Sequence, residues 1–232
     1  MNMELKESID RMEFELNITK ELFHVGFPKP VRMMSSAILN GGGQWANHFI
    51  NCRVDANFNG EKTDFEPPVV TVERIAESNG WSGFCVGMMT AANMDSFRRV
   101  RREAQGVWIE VFLTAGVSNA RRAGDMADYR YIDEVCAKTG TINMLILTNA
   151  FLSDAALVEC IMMATEAKAA ALQDLKVKSP VSGLLATGTG TDSTAVVCGE
   201  GPEVIYCGKH VLFGELLAQA VHRALTDSLL SQ

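Results

Sequence analysis

VRMMSSAILNGGGQWANHFINCRVDA, residues 31–56, decides the fold class. Its two apolar runs, 31–39 and 48–56, read as strands, and only NGGGQWAN, 40–47, lies between them. A parallel crossover needs about a dozen residues or more, so this spacing predicts an antiparallel, hairpin-like pair. Working outward, 82–92, 107–117, 142–150 and 193–199 also read as strands. Helical patterns occupy 69–80, where Gly80 ends the run, then about 153–176 and about 209–230. The order is not a regular alternation of strand and helix, which disfavours a Rossmann fold. The expectation is α+β: a mixed, largely antiparallel β-sheet structure covered by two long helices. No linker composition or repeat divides the chain, so residues 1–232 are read as a single domain.

Composition excludes several function classes. A formal charge of −7 with no basic tail argues against nucleic acid or an anionic membrane as partner. A small-molecule ligand fits better, and a homo-oligomer is left open. Cys52, Cys85, Cys136, Cys160, Cys198 and Cys207 are scattered without C-x-x-C or zinc spacing. They read as reduced core thiols, and the expected compartment is the cytoplasm. The acidic start MNMELKESIDRMEFEL has no apolar core of a signal peptide, and no window of the chain reads as a membrane span.

The helix opening at Ser153 is apolar almost all round, and between 155 and 173 its only charges are Glu159, Glu166 and Lys168. Charges on a buried helix need a partner or a wet cleft. Glu166 and Lys168 point about 200° apart, so at most one of them is expected to touch a substrate. The alternative is that both sit at the helix margins and pair with surface charges.

LLATGTGTDSTAVV, residues 184–197, gathers five hydroxyls, two glycines and one carboxylate between apolar flanks. Gly188 and Gly190 begin a G-x-G-x-x-G pattern, but Ser193 holds its last position and no phosphate-binding lysine follows. A nucleotide site is therefore weakly supported. A turn of this composition can instead present backbone N–H groups to an oxyanion and a carboxylate to water. It can equally be a tight turn whose threonines and Asp192 satisfy their own backbone.

Other candidates are thinner. His210 opens the last predicted helix, His222 falls on a polar face, and His48 begins a strand after a glycine-rich loop. No H-x-x-H or H-E-x-x-H cluster appears, so no cofactor is required and a divalent metal is not indicated. There is no G-x-S-x-G elbow. FRRVRRE, 97–103, reads as a solvated basic face. AGVSNARRAGD, 115–125, reads as a ligand loop at a sheet edge, and Asn143 and Asn149 need partners for their amides.

Taken in order from about residue 30, NGGG (40–43), VGMMTAANM (86–94), TAGVSNARRAGD (114–125), TINMLILTN (141–149), ATEAKAAAL (164–172), ATGTGTDS (186–193) and YCGKHVLFGELLAQAV (206–221) resemble the adenosylcobinamide amidohydrolase family. The resemblance implies a hydrolase of corrinoid salvage that cleaves the aminopropanol amide of adenosylcobinamide and releases adenosylcobyric acid. Amide hydrolysis needs a nucleophile, a seat for the oxyanion and a proton for the leaving amine. Candidate catalytic residues are Asp192 or Glu166 as base and His210 or Lys168 as acid. Gly188, Thr189 and Gly190 are candidate oxyanion contacts, with Thr187 beside them, and Thr191 or Ser193 is the candidate covalent nucleophile. Asn119, Asn51 and His48 are expected at the amide-fringed corrin periphery. The competing readings are a non-catalytic corrinoid-binding protein and a nucleotide-binding protein using the TGTGTDS turn.

Overall fold

The computed structural model of the chain describes residues 12–54, 66–128 and 140–231. In chain order the strands are β1 (Glu15–Ile18), β2 (Leu22–Ser35), β3 (Gly42–Arg53), β4 (Cys85–Thr90), β5 (Arg98–Ala104), β6 (Val107–Ala115), β7 (Ala120–Arg121), β8 (Ile142–Thr148), β9 (Phe151–Leu152), β10 (Gly188–Thr189), β11 (Ser193–Cys198) and β12 (Glu203–Val204). The helices are α1 (Pro68–Ser78), α2 (Asp154–Asp174) and α3 (Leu212–Leu230). The fold is α+β. Its main sheet runs β4-β3-β2-β11-β8-β6-β5, with β1 paired to β2, and is antiparallel except at β3–β4 and β8–β11.

The 31–56 stretch forms the expected antiparallel pair, with Ser35 opposite Gly42 and Val31 opposite Ala46. Both strands are longer than read. β2 starts at Leu22 and passes a register shift between Gly26 and Val31, where Pro28 and Pro30 fall. Prolines supply no ladder donor, so they occupy the irregular point. They are also what hid the first half of the strand.

That irregularity lets the sheet fold over on itself. The N-terminal half of β2 pairs with β1, and its C-terminal half with β11. The inner core joins the two halves: Phe23, Phe49 and Met88 pack with Phe112, Leu145 and Val197. Phe23 and Phe112, on strands that are not neighbours in the sheet, lie 6.5 Å apart between ring centroids. On the outer face of β6, β8 and β11, α2 and α3 complete a second core, and α1 covers β3 and β4 through Val72 and Ala76. The result is four layers: helix pair, sheet half, sheet half, helix.

Each helix has a local cause. Ser153 caps α2 by accepting from the Ala156 amide at 3.2 Å, and α1 begins with Pro68 and is followed by Gly80 at φ +69°. α3 starts at Leu212, so His210 lies in the turn before it rather than on the helix. The basic run at 98–102 is an edge strand. Arg99 bonds the buried Glu110 at 2.6 Å, Arg101 lies over Trp108, and Arg98 donates to the Asp227 carbonyl at the end of α3. Charge on an edge strand blocks pairing with other chains. Among the described residues no helix is long and apolar enough to cross a membrane. Five cysteines are buried free thiols, and burial pushes Cys52 and Cys85 up to about 12, too high for a reactive thiolate. Cys136 lies outside the described residues.

Candidate functional site

The turn from Gly188 to Ser193 is built around Asp192. β10 pairs with β7, placing Gly188 opposite Arg121 and Thr189 opposite Ala120, and the chain then reverses into β11. Asp192 Oδ2 accepts from the Thr189 amide at 3.0 Å and from Lys168 Nζ at 2.5 Å. Its Oδ1 accepts from the Thr189 hydroxyl at 2.5 Å and from the Ile142 amide, at the start of β8, at 2.9 Å. Four donors fill the acceptor capacity of the carboxylate. A Cβ at Gly188 would stand 2.4 Å from Asp192 Oδ2, so the close approach requires glycine there.

Lys168 reaches this turn from α2 and is 6 % exposed. On so apolar a helix an ammonium is tolerated because its counterion is in place. Glu166 points elsewhere, as the helical spacing requires: it pairs with Lys209 and is half exposed. The structure therefore joins Lys168, Asp192 and Thr189 and separates Glu166 from them.

The other side of the turn faces the space between the sheet halves. The Ser193 hydroxyl lies 3.1 Å from that of Ser36, which also accepts from the Thr194 amide. Nearby, the Asn143 side chain donates to Asn51 Oδ1 and to the Met89 carbonyl, both at 2.8 Å, and accepts from the Thr141 hydroxyl. Asn51 in turn donates to Thr114 at 2.9 Å. This buried network pins one sheet half to the other. Asn51 is 0 % exposed with its amide committed, so it is a link between layers rather than a group presented to a ligand. Asn149 is satisfied separately by the Trp108 amide and the Gly106 carbonyl.

Loop 117–128 closes over the turn. The Ala123 amide donates to the Thr187 hydroxyl, Arg122 donates to the Leu185 carbonyl at 3.0 Å, and Ser179 bonds Asp125. Hydrogen bonds from Ser179 first, then from Ser182 and the Arg122 amide, hold the Asp125 carboxyl below its usual range. Thr191 donates to the Gly140 carbonyl at 3.0 Å. Asn119 stands against Gly140 and Gly190. Arg121 pairs through Nη2 with Asp128.

A family model described as adenosylcobinamide amidohydrolase matches residues 5–232. The chain belongs to the adenosylcobinamide amidohydrolase family. It is 30 % identical over 201 residues to the adenosylcobinamide amidohydrolase of Methanosarcina mazei, covering 82 % of this chain and 86 % of that one. It is 38 % identical over 159 residues to the uncharacterized protein MJ1613 of Methanocaldococcus jannaschii, covering 62 % of each chain. Among solved structures, the PH0078 protein of Pyrococcus horikoshii OT3 aligns with 93 % of this chain and 79 % of its own at a TM-score of 0.44 and 12 % identity.

In this member of the adenosylcobinamide amidohydrolase family the remaining candidates lie apart from the turn. His48 accepts from or donates to His24 across 3.0 Å, and its Nε2 lies 2.9 Å from the Ser82 carbonyl, while Trp81 stacks on His24 at 3.7 Å. Burial first, then the neighbouring His48, lowers His24 to about 4. His210 is exposed. Among the described residues no three His, Cys, Asp or Glu side chains converge on a metal-sized space. A cavity of about 450 Å³ lies at the opposite end of β11, lined by Arg32, Trp45, Phe151 and Cys198 among others, and does not include the Asp192 turn. Sequence reasoning missed Ser36 and Arg121. Ser36 stands in a hairpin turn with nothing local to mark it, and Arg121 was visible only as part of a ligand loop.

Proposed function

We propose that the chain hydrolyses the aminopropanol amide of adenosylcobinamide in corrinoid salvage. Water is added across the C–N bond: the carbonyl carbon gains oxygen and becomes the carboxylate of adenosylcobyric acid, and aminopropanol leaves as the protonated amine. The observation that carries the reading is the buried Lys168–Asp192 pair beneath Gly188, in a chain that matches the family along nearly its whole length. Asp192 has no lone pair left for a water proton, so in this proposal it positions Lys168 rather than acting as the general base. The Lys168 ammonium spends one N–H on Asp192 and brings its positive charge to the carbonyl oxygen as negative charge develops there. The Ser193 and Thr191 hydroxyls are the nucleophile candidates on the same turn. Glu166, tied to Lys209, and exposed His210 have no part in it.

The test is incubation of the purified protein with adenosylcobinamide, with and without chelator, and chromatography of the products. Adenosylcobyric acid and free aminopropanol are expected, with kcat lowered about 10²–10³-fold in Lys168→Met. Absence of both products from the wild type overturns the reading, and loss of turnover with chelator assigns a metal to the reaction. A Ser193→Ala protein that still turns over excludes Ser193 as a covalent nucleophile, and Thr191→Val applies the same test to Thr191.

A further inference from the structure

The NGGG hairpin, which takes no part in the hydrolysis proposed for Lys168 and Asp192, is tied down on both sides of Ser36. At its tip Asn40 stands at φ +54° and donates to the Cys85 carbonyl at 2.8 Å, while Leu39 exchanges backbone hydrogen bonds with Gly87 at 3.0 and 3.1 Å. Both contacts anchor the hairpin to the β4 side of the sheet. A Cβ at Gly41 would stand 2.4 Å from the Ala37 carbonyl oxygen, so only glycine closes the turn that follows Ser36. On its other side Ser36 is gripped by β11. Its amide donates to the Thr194 carbonyl at 3.0 Å, and its hydroxyl accepts from the Thr194 amide at 3.1 Å. One lone pair of Ser36 Oγ is thereby taken, and the same oxygen lies 3.1 Å from Ser193 Oγ. Of the hydroxyls of the 188–193 turn, Thr189 is spent on Asp192 and Thr191 on the Gly140 carbonyl. Ser193 meets a second hydroxyl and no further partner among the described residues. Ser193 is half-buried and Ser36 exposed, with Ile38 beyond it 51 % exposed, so the pair opens to solvent.

We propose that Ser36 is a positioning residue for Ser193 as the nucleophile, an inference that rests on the amidase reading above and chooses Ser193 over Thr191. The Ser193 hydroxyl donates to Ser36 Oγ, which the Thr194 amide and the anchored hairpin hold in place. Both lone pairs of Ser193 Oγ are then left for the open side, where a substrate carbonyl can approach. In the reaction the bond from Ser193 Oγ to the carbonyl carbon forms, the C–N bond breaks, and the hydroxyl proton departs on the amine nitrogen. Water then cleaves the ester, its hydrogen returning to Ser193 and its oxygen staying with the carboxylate. Ser36 acts on the reaction only through Ser193. The NGGG hairpin in this account is the mount that keeps Ser36 in line.

Ser36→Thr and Ser36→Val, nearly equal in shape and different in the hydroxyl, test this in the full chain with adenosylcobinamide. Ser36→Val should lower kcat about 10²-fold with KM within about twofold of wild type, and Ser36→Thr should keep kcat within about fivefold. A fluorophosphonate probe, located by mass spectrometry, should label Ser193 in wild type and Ser36→Thr and do so about tenfold or more slowly in Ser36→Val. Thermal melts accompany both, because losing the hydroxyl also strips the Thr194 amide of its acceptor. If Ser36→Val does not fold, Ser36→Ala takes its place with the same expectations. A Ser36→Val protein that melts earlier but is labelled and turns over like wild type makes Ser36 a brace of the ladder and overturns the proposal. So does a Ser193→Ala protein that hydrolyses adenosylcobinamide at the wild-type rate, and in both cases the amidase reading stands. A wild type that yields neither adenosylcobyric acid nor aminopropanol overturns the amidase reading, and the role of Ser36 with it.

Discussion

Lys168 Nζ and Asp192 Oδ2 meet at 2.5 Å, with side chains only 8 % and 11 % exposed, across 24 residues of sequence. Breaking such a pair from one side strands a buried charge, at about 3–5 kcal/mol. Lys168→Met and Asp192→Asn should each lose stability on that scale in urea denaturation. The double variant should recover part of the loss without recovering turnover, which separates the pair's structural role from its chemical one.

Gly188 and Gly190 should respond differently to alanine. At Gly188 the new methyl would overlap the Asp192 carboxylate at 2.4 Å, whereas at Gly190 the nearest atom is 3.5 Å away. Gly188→Ala should cost about 1–3 kcal/mol as an overpacked site and depress kcat. Gly190→Ala should melt within about 1 kcal/mol of wild type. Paired thermal melts and steady-state kinetics check both.

The layer clamp predicts a stability loss without a charge. Asn51→Leu removes the acceptor of Asn143 and the donor to Thr114, leaving buried groups unmade at about 1–3 kcal/mol each. Chemical denaturation should show the loss, and Asn149→Leu should show a comparable one, since its amide serves the Trp108 amide and Gly106 carbonyl.

His24 gives the pH dependence a sign. Its folded value, about 4, lies below the ordinary 6.5, so between those values the unfolded chain binds the extra proton. Stability is therefore complete above pH 6.5 and declines as pH falls toward 4, by up to about 3 kcal/mol from this group. Unfolding free energies measured at several pH values in that window should fall less steeply in His24→Leu than in wild type.

Much of this arrangement was legible in the chain because local patterns and tertiary packing agree. The short spacing at 40–47 announced the antiparallel pair, and Ser153 announced α2. β5 was unreadable because four arginines obscured an alternating strand whose apolar members are few. Asp192 and Lys168 could each be singled out, one by its turn and the other by its cost on an apolar helix. Their contact could not, since it depends on how α2 docks onto β11. The same limit applies to Ser36 and Ser193, which are neighbours only because β2 lies beside β11.

That adjacency also orders the chain's birth. Ser35 pairs with Ala195, so the central sheet cannot close until the ribosome has delivered nearly the last strand. Until then the β2–β3 ribbon waits with a bare edge, the condition in which nascent chains pair with the wrong neighbour. Contacts so distant in sequence also make for slow folding, and the yield of this protein in a cell should depend on how well that edge is sheltered during synthesis.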